Sequence, residues 1–180
     1  MGLKHLILAA AAASGLLGAP GAGAGPAVRT ENVTAQLHSS MAAVAPGEQF
    51  TVGLRLLVRP QWHTYWRNSG DSGLPTTLEW TVPQGASAGE IGWPLPEAIP
   101  FGPLMNYGYS GETLYPVTLT APADAKPGQT LNFAAQAEWL VCKDICIQEG
   151  AALTLDVPVA ARAKPDETWS APLAQALAAM

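Results

Sequence analysis

From Val33 to Pro158 apolar and polar positions alternate with the period of two that suits a half-buried β-strand, and no stretch of useful length holds an amphipathic helical period. The alternation is plainest in Val117-Thr118-Leu119-Thr120 and in Leu153-Thr154-Leu155-Asp156-Val157, as expected of strands with one face on a core. Strand-like segments recur at Thr34–Ser39, Gln49–Val58, Trp62–Trp66, Thr76–Trp80, Glu90–Trp93, Thr113–Thr120, Leu131–Val141 and Ala151–Val157. Between them lie turn signals at Ala45-Pro46-Gly47, Asn68 to Gly73, Pro83-Gln84-Gly85 and Ala125-Lys126-Pro127-Gly128. Many short strands with regular punctuation predict an all-β, immunoglobulin-like β-sandwich.

One stretch breaks the pattern. Pro94 to Asn106 carries prolines at 94, 96, 100 and 103. Proline removes ladder donors, so this segment is excluded as a central strand and reads as a long, stiff loop. Ordered loops of that length are more often functional than mere connections.

The ends read differently from the middle. Residues 1–24 carry Lys4, an apolar run from Leu6 to Leu17 and a small-residue end at Ala22-Gly23-Ala24, the pattern of a cleavable secretory signal. Cleavage near Ala24 is expected, with residues 25–32 as a flexible arm, residues 33–160 as the folded domain, and residues 161–180 as a linker or tail. A helix is possible within that tail from Glu167 to Met180, where Trp169, Leu173 and Leu177 fall at fourfold spacing. Without Lys4 the chain keeps eight basic against fourteen acidic residues, a net charge of −6, which argues against nucleic acid as a partner.

Composition adds one decisive feature: the chain has two cysteines, Cys142 and Cys146. An exported, even-numbered pair is read as a disulfide. A straight strand separates residues four apart by roughly 13 Å, whereas a disulfide needs Cα atoms within about 7 Å, so the chain must fold back between them. A helical turn or a hairpin tip of Lys143, Asp144 and Ile145 meets that demand, and the β-like flanks favour the hairpin. In the loop-entropy view a ring this small stabilises by roughly 2 kcal/mol, against about 3 kcal/mol for a 15-residue ring. It is a poor staple and a better site for exchange, which makes reversible redox chemistry the leading reading, with a structural bridge and a metal site as alternatives. Zinc wants four ligands and no histidine adjoins the pair, while copper(I) accepts two thiolates. No helix N-terminus is on offer to stabilise a thiolate, and Lys143 is opposed by Glu138, Asp144 and Glu149. The pair is therefore expected to be slow as a general thiol reagent and to react well only within a complementary partner complex.

Three motifs in the same order extend this reading. Trp62-His63-Thr64-Tyr65-Trp66-Arg67-Asn68-Ser69-Gly70-Asp71-Ser72-Gly73-Leu74-Pro75 is followed by Trp93-Pro94-Leu95-Pro96 and Ile99-Pro100-Phe101-Gly102-Pro103-Leu104 through Asn106-Tyr107-Gly108-Tyr109, and then by Glu138-Trp139-Leu140-Val141-Cys142-Lys143-Asp144-Ile145-Cys146. Together they resemble the periplasmic N-terminal domain of the DsbD thiol:disulfide interchange family, including its ScsB-like branch. The resemblance covers most of residues 35 to 158. It implies an immunoglobulin-like sandwich in the periplasm that passes electrons, without a bound cofactor, from a membrane-embedded domain and a thioredoxin-like domain to oxidised proteins such as disulfide isomerases. By the family pattern Cys142 and Cys146 are the redox pair, with Cys146 forming the mixed disulfide and Cys142 resolving it. The resemblance further suggests Phe101, between Pro100 and Gly102, as the aromatic of a cap loop, and His63 and Tyr65 as residues lining the site or meeting the partner. Against these roles stand ordinary ones: a core phenylalanine, a packed histidine and a strand tyrosine. The cysteine spacing is shorter than in the best-known enterobacterial members, and no membrane or thioredoxin-like domain follows Met180 in this sequence. The runner-up function is a periplasmic copper(I)- or protein-binding module with a structural disulfide.

Overall fold

The computed structural model describes residues 23–180. The secretory signal expected over residues 1–24 lies, apart from Gly23 and Ala24, outside the described residues. The chain runs β1 (Val28–Arg29), β2 (Val33–Ser39), β3 (Met41–Ala43), β4 (Gln49–Val58), β5 (His63–Gly70), β6 (Thr77–Thr81), β7 (Ser87–Ala88), β8 (Glu97–Phe101), β9 (Leu104–Ser110), β10 (Glu112–Thr120), β11 (Thr130–Cys142), β12 (Cys146–Pro158), β13 (Lys164–Pro165) and α1 (Ser170–Ala178). One sheet has the order β1-β2-β4-β10-β7. The other has the order β12-β11-β5-β9-β8, with β6 also paired to β11, and a small β13-β3 pair lies apart. This is the immunoglobulin-like β-sandwich that the alternation predicts.

Burial follows the period of two. On β11 Leu131, Phe133, Ala135, Ala137, Trp139 and Val141 point inward, and on β4 Phe50, Val52, Leu54, Leu56 and Val58 do the same from the facing sheet. Phe50 meets Phe133 edge to face across the sandwich, with ring centroids 5.8 Å apart. Each fully buried side chain of this size contributes roughly 1.5–3 kcal/mol, so this shared interior is what holds the two sheets together. Among the described residues no helix is long and apolar enough to cross a membrane.

Several local expectations change. The proline-rich stretch expected as a loop is a hairpin, β8–β9, turning at Gly102 and Pro103, with Glu97↔Gly108 through Phe101↔Leu104 in register. The exclusion of a central strand still stands, because β8 lies at the edge of its sheet, where a missing proline donor leaves no neighbour unpaired. Glu90–Trp93, expected as a strand, has no regular structure; a two-residue strand at Ser87–Ala88 pairs with β10 instead. The break expected at Asn68 to Gly73 begins later, since β5 runs to Gly70.

The two ends are also built into the sandwich. Residues 25–32, expected as a flexible arm, contain β1, which pairs Val28 with Ala35 and Arg29 with Thr34. Thr30 and Asn32 donate side-chain hydrogen bonds to the carboxylate of Glu149 on β12, as does the Trp139 indole at 3.4 Å. In residues 161–180, α1 packs against β4 and β10. Its Leu173 is fully buried, above Gly53 of β4, where any Cβ would lie 2.4 Å from the leucine. Just before the helix Trp169 stacks on His38, with ring centroids 3.5 Å apart.

Candidate functional site

β11 and β12 pair without a register shift from Thr130↔Pro158 to Cys142↔Cys146, so the ladder itself carries the two cysteines to opposite positions at its end. They form a disulfide with Cα atoms 4.1 Å apart. The turn between them is Lys143–Ile145, closed by the Lys143 N–H donating to the Ile145 carbonyl at 3.0 Å. The two cysteines are not equivalent. As residues, Cys142 is 2 % exposed whereas Cys146 is exposed.

A second strand brings the next two residues. On β5, His63 lies opposite Cys142 on one side and Ser110 of β9 on the other. Two positions on, and so on the same face, Tyr65 points to the disulfide: its hydroxyl is 3.9 Å from Cys146 Sγ and 3.3 Å from His63 Nε2. Both side chains are buried, and burial pulls the His63 imidazole below its usual range while raising the Tyr65 phenol, the latter partly offset by Ser72. Both groups are therefore held neutral.

Tyr65 keeps its place because of a glycine. Gly73 adopts φ +96° and a Cβ there would fall 2.2 Å from the tyrosine ring, so any side chain would displace the ring. The turn carrying Gly73 is in turn pinned to β9: buried Asn106 accepts hydrogen bonds through Oδ1 from both the N–H and the hydroxyl of Ser72, each at 3.0 Å.

The third contribution comes from β8–β9. Phe101 ends β8, is 46 % exposed, and closes one side of a cleft of about 130 Å³ whose other walls are His63, Tyr65, Ser72 and the two cysteines with their turn. Cys142, Cys146, His63, Tyr65 and Phe101, all singled out in the sequence, thus meet at one cleft. Pro100 and Gly102 flank Phe101 without lining it, and Gly102 with φ +58° serves the hairpin turn. Sequence reasoning missed Ser72, Asn106 and Ile145. The first two were hidden in what read as turn and loop; Ile145, 63 % exposed beside the disulfide, is an apolar residue that a turn has no need of. Among the described residues no group of three or more His, Cys, Asp or Glu side chains converges to hold a metal.

Residues 33–158 match the family model described as "Thiol:disulfide interchange protein DsbD, N-terminal". Among solved structures, the N-terminal periplasmic domain of ScsB from Proteus mirabilis superposes with a TM-score of 0.64 at 18% identity, covering 88% of this chain and 59% of that one. The chain therefore spans somewhat more than half the length of that structure. A yeast GGA1 GAE domain gives a TM-score of 0.40 at 8% identity over 71% of this chain and 94% of that one. No curated protein matches significantly.

Proposed function

Since the chain belongs to the family of DsbD N-terminal domains, a thiol:disulfide exchange module, we propose that it relays electrons in the periplasm through reversible opening of the Cys142–Cys146 bond. The donor is a thioredoxin-like domain, itself supplied by a membrane electron-transfer domain, and the acceptors are oxidised periplasmic proteins of the disulfide-isomerase type. A donor thiolate attacks Cys146 Sγ, the Cys142–Cys146 bond breaks, and Cys142 leaves as a thiolate. The donor's second thiolate then attacks the donor sulfur of the mixed disulfide, which releases Cys146 and leaves the donor oxidised and this chain carrying two thiols. In the outward half, Cys146 attacks the acceptor's disulfide, and Cys142 attacks Cys146 to restore the internal bond and release the acceptor reduced.

The observation that carries this reading is the unequal exposure of the two cysteines. A partner's thiolate must reach the sulfur it attacks, and Cys146 is an exposed residue while Cys142 is buried. Phe101 and Ile145 give the cleft an apolar margin suited to a protein partner, and in this reading Phe101 is the cap that shields the bond between encounters.

Two single-cysteine variants test the assignment. With a thioredoxin-like protein in its oxidised, disulfide form, Cys142→Ala should form a covalent complex as the Cys146 thiolate attacks that disulfide and the partner's second cysteine leaves as a thiolate, and Cys146→Ala should form none. A complex formed equally by both variants, or by neither, would sink it.

A further inference from the structure

The Cys146 sulfur must lose a proton before it attacks and regain one when it is released, yet among the described residues no helix N-terminus adjoins it, and the lysine of its own turn is engaged elsewhere: Lys143 Nζ donates to Gln61 Oε1 at 2.8 Å. What does approach Cys146 is a neutral chain of two buried groups, Tyr65 at 3.9 Å and, behind it, His63 at 3.3 Å from the tyrosine oxygen. We infer that Tyr65 and His63 form a proton relay for the Cys146 thiol, a step that rests on the redox reading of this site.

The geometry allows one direction of transfer. With the imidazole protonated at Nδ1, Nε2 accepts from the Tyr65 hydroxyl, which leaves the phenol oxygen free to accept from the S–H of reduced Cys146. The thiol proton passes to the phenol oxygen as the phenol proton passes to Nε2. The products are a Cys146 thiolate hydrogen-bonded by an intact Tyr65 hydroxyl, and a His63 imidazolium. No electron moves in this step, and its reversal reprotonates Cys146 on release. Tyr65 touches the reacting sulfur and is the catalytic residue; His63 acts through it and is a positioning residue.

Both are where a relay needs them. The edge-to-face contact of the two rings, 5.1 Å between centroids, fixes the hydroxyl toward the imidazole, and Gly73 leaves the tyrosine ring the room it occupies. Burial keeps His63 neutral before transfer, so it is an empty acceptor at neutral pH. The other charged groups at the cleft are Lys143 and Asp144 of the β11–β12 turn, while β8–β9 contributes only Phe101.

The test is alkylation of the reduced protein as a function of pH. Trypsin cuts after Lys143, so the two cysteines fall in different peptides and their rates are read separately. In the unmodified protein the Cys146 profile should show two inflections, one of them from His63. Tyr65→Phe should abolish the lower inflection and slow Cys146 at neutral pH by about tenfold, the equivalent of one pKa unit. His63→Gln should abolish the same inflection while slowing Cys146 less, because the tyrosine donor remains. The His63 ring resonance, which requires no substitution, should titrate at higher pH in the reduced protein than in the oxidised one. Superimposable Cys146 profiles in all three proteins, or a His63 midpoint unchanged by reduction, would overturn the relay. Exchange with a reduced thioredoxin-like protein, measured in parallel, separates the two readings. Exchange with an uncoupled profile removes the relay alone, and a coupled profile without exchange removes the redox reading and leaves the relay.

Discussion

Two hairpins meet at the cleft, and they are built to opposite specifications. β11–β12 joins two thirteen-residue strands in unbroken register, and its inward face, including Phe133, Trp139 and Leu153, is part of the main core. β8–β9 joins five residues to seven at the edge of the sheet, and it leaves Phe101, Met105 and Tyr107 more than a third exposed. The two sulfurs stand at the end of the long hairpin anchored in the core, and the aromatic beside them stands on one that has little buried area to lose. Local opening draws on the low-stability parts of a fold, so β8–β9 is the hairpin expected to open without disturbing β11–β12.

Substitutions should expose that contrast in descending order of effect. Cys146→Ala should abolish measurable exchange with a thioredoxin-like donor while leaving the circular dichroism of the sandwich intact; retained exchange would mean that the hairpin end is not the reacting site. Next, Trp139→Ala should lower unfolding free energy by about 3–5 kcal/mol in a denaturant titration, because it empties a fully buried site of the platform. Phe101→Ala should change stability by less than about 0.5 kcal/mol, as expected of a largely exposed edge residue. The same Phe101→Ala change should instead speed reduction of the disulfide by a small dithiol by about tenfold, equivalent to about 1.4 kcal/mol of barrier. If it destabilises the fold as much as Trp139→Ala does, the two hairpins are one unit and the contrast fails.

The smallest effect lies where the hairpins join. His63 pairs with both β11 and β9, and burial lowers its pKa from the usual 6.5. The folded state then binds fewer protons than the unfolded chain, so stability is complete above pH 6.5 and falls as the pH drops below it. His38, pushed down to about 4 by burial and by Arg55, acts in the same direction. His63→Gln should therefore flatten part of the loss of stability between pH 6.5 and 4, and the part owed to His38 should remain. A slope unchanged by His63→Gln would show that the junction tolerates the charge.

How far the sequence could be read follows from the range of the forces involved. The alternation of β4, β10, β11 and β12 and the three-residue gap between the cysteines are local signals, and both the sandwich and the hairpin bearing Cys142 and Cys146 were legible from them. Four prolines within Pro94 to Asn106 gave an equally local signal that pointed to a loop. Edge position, which makes Pro100 tolerable in β8, is a property of the whole sheet and leaves no mark on neighbouring residues. The docking of α1 was hidden for the same reason: the notch for Leu173 is made by Gly53, some 120 positions earlier in the chain. Ser72 and Asn106 support Tyr65 through a contact between a turn and a strand, which no periodicity announces.

The unbroken ladder beneath the cysteines also governs timing. Hydrogen bonds of β11–β12, rather than the sulfur bridge, set the spacing of Cys142 and Cys146, so reduction leaves the two thiols facing each other at very high effective concentration. Any covalent adduct on Cys146 is then exposed to immediate intramolecular rescue by its neighbour, and its residence time is brief. In the relay proposed above, a carrier so built would let go of whatever it has just served, which suits rapid traffic better than prolonged custody.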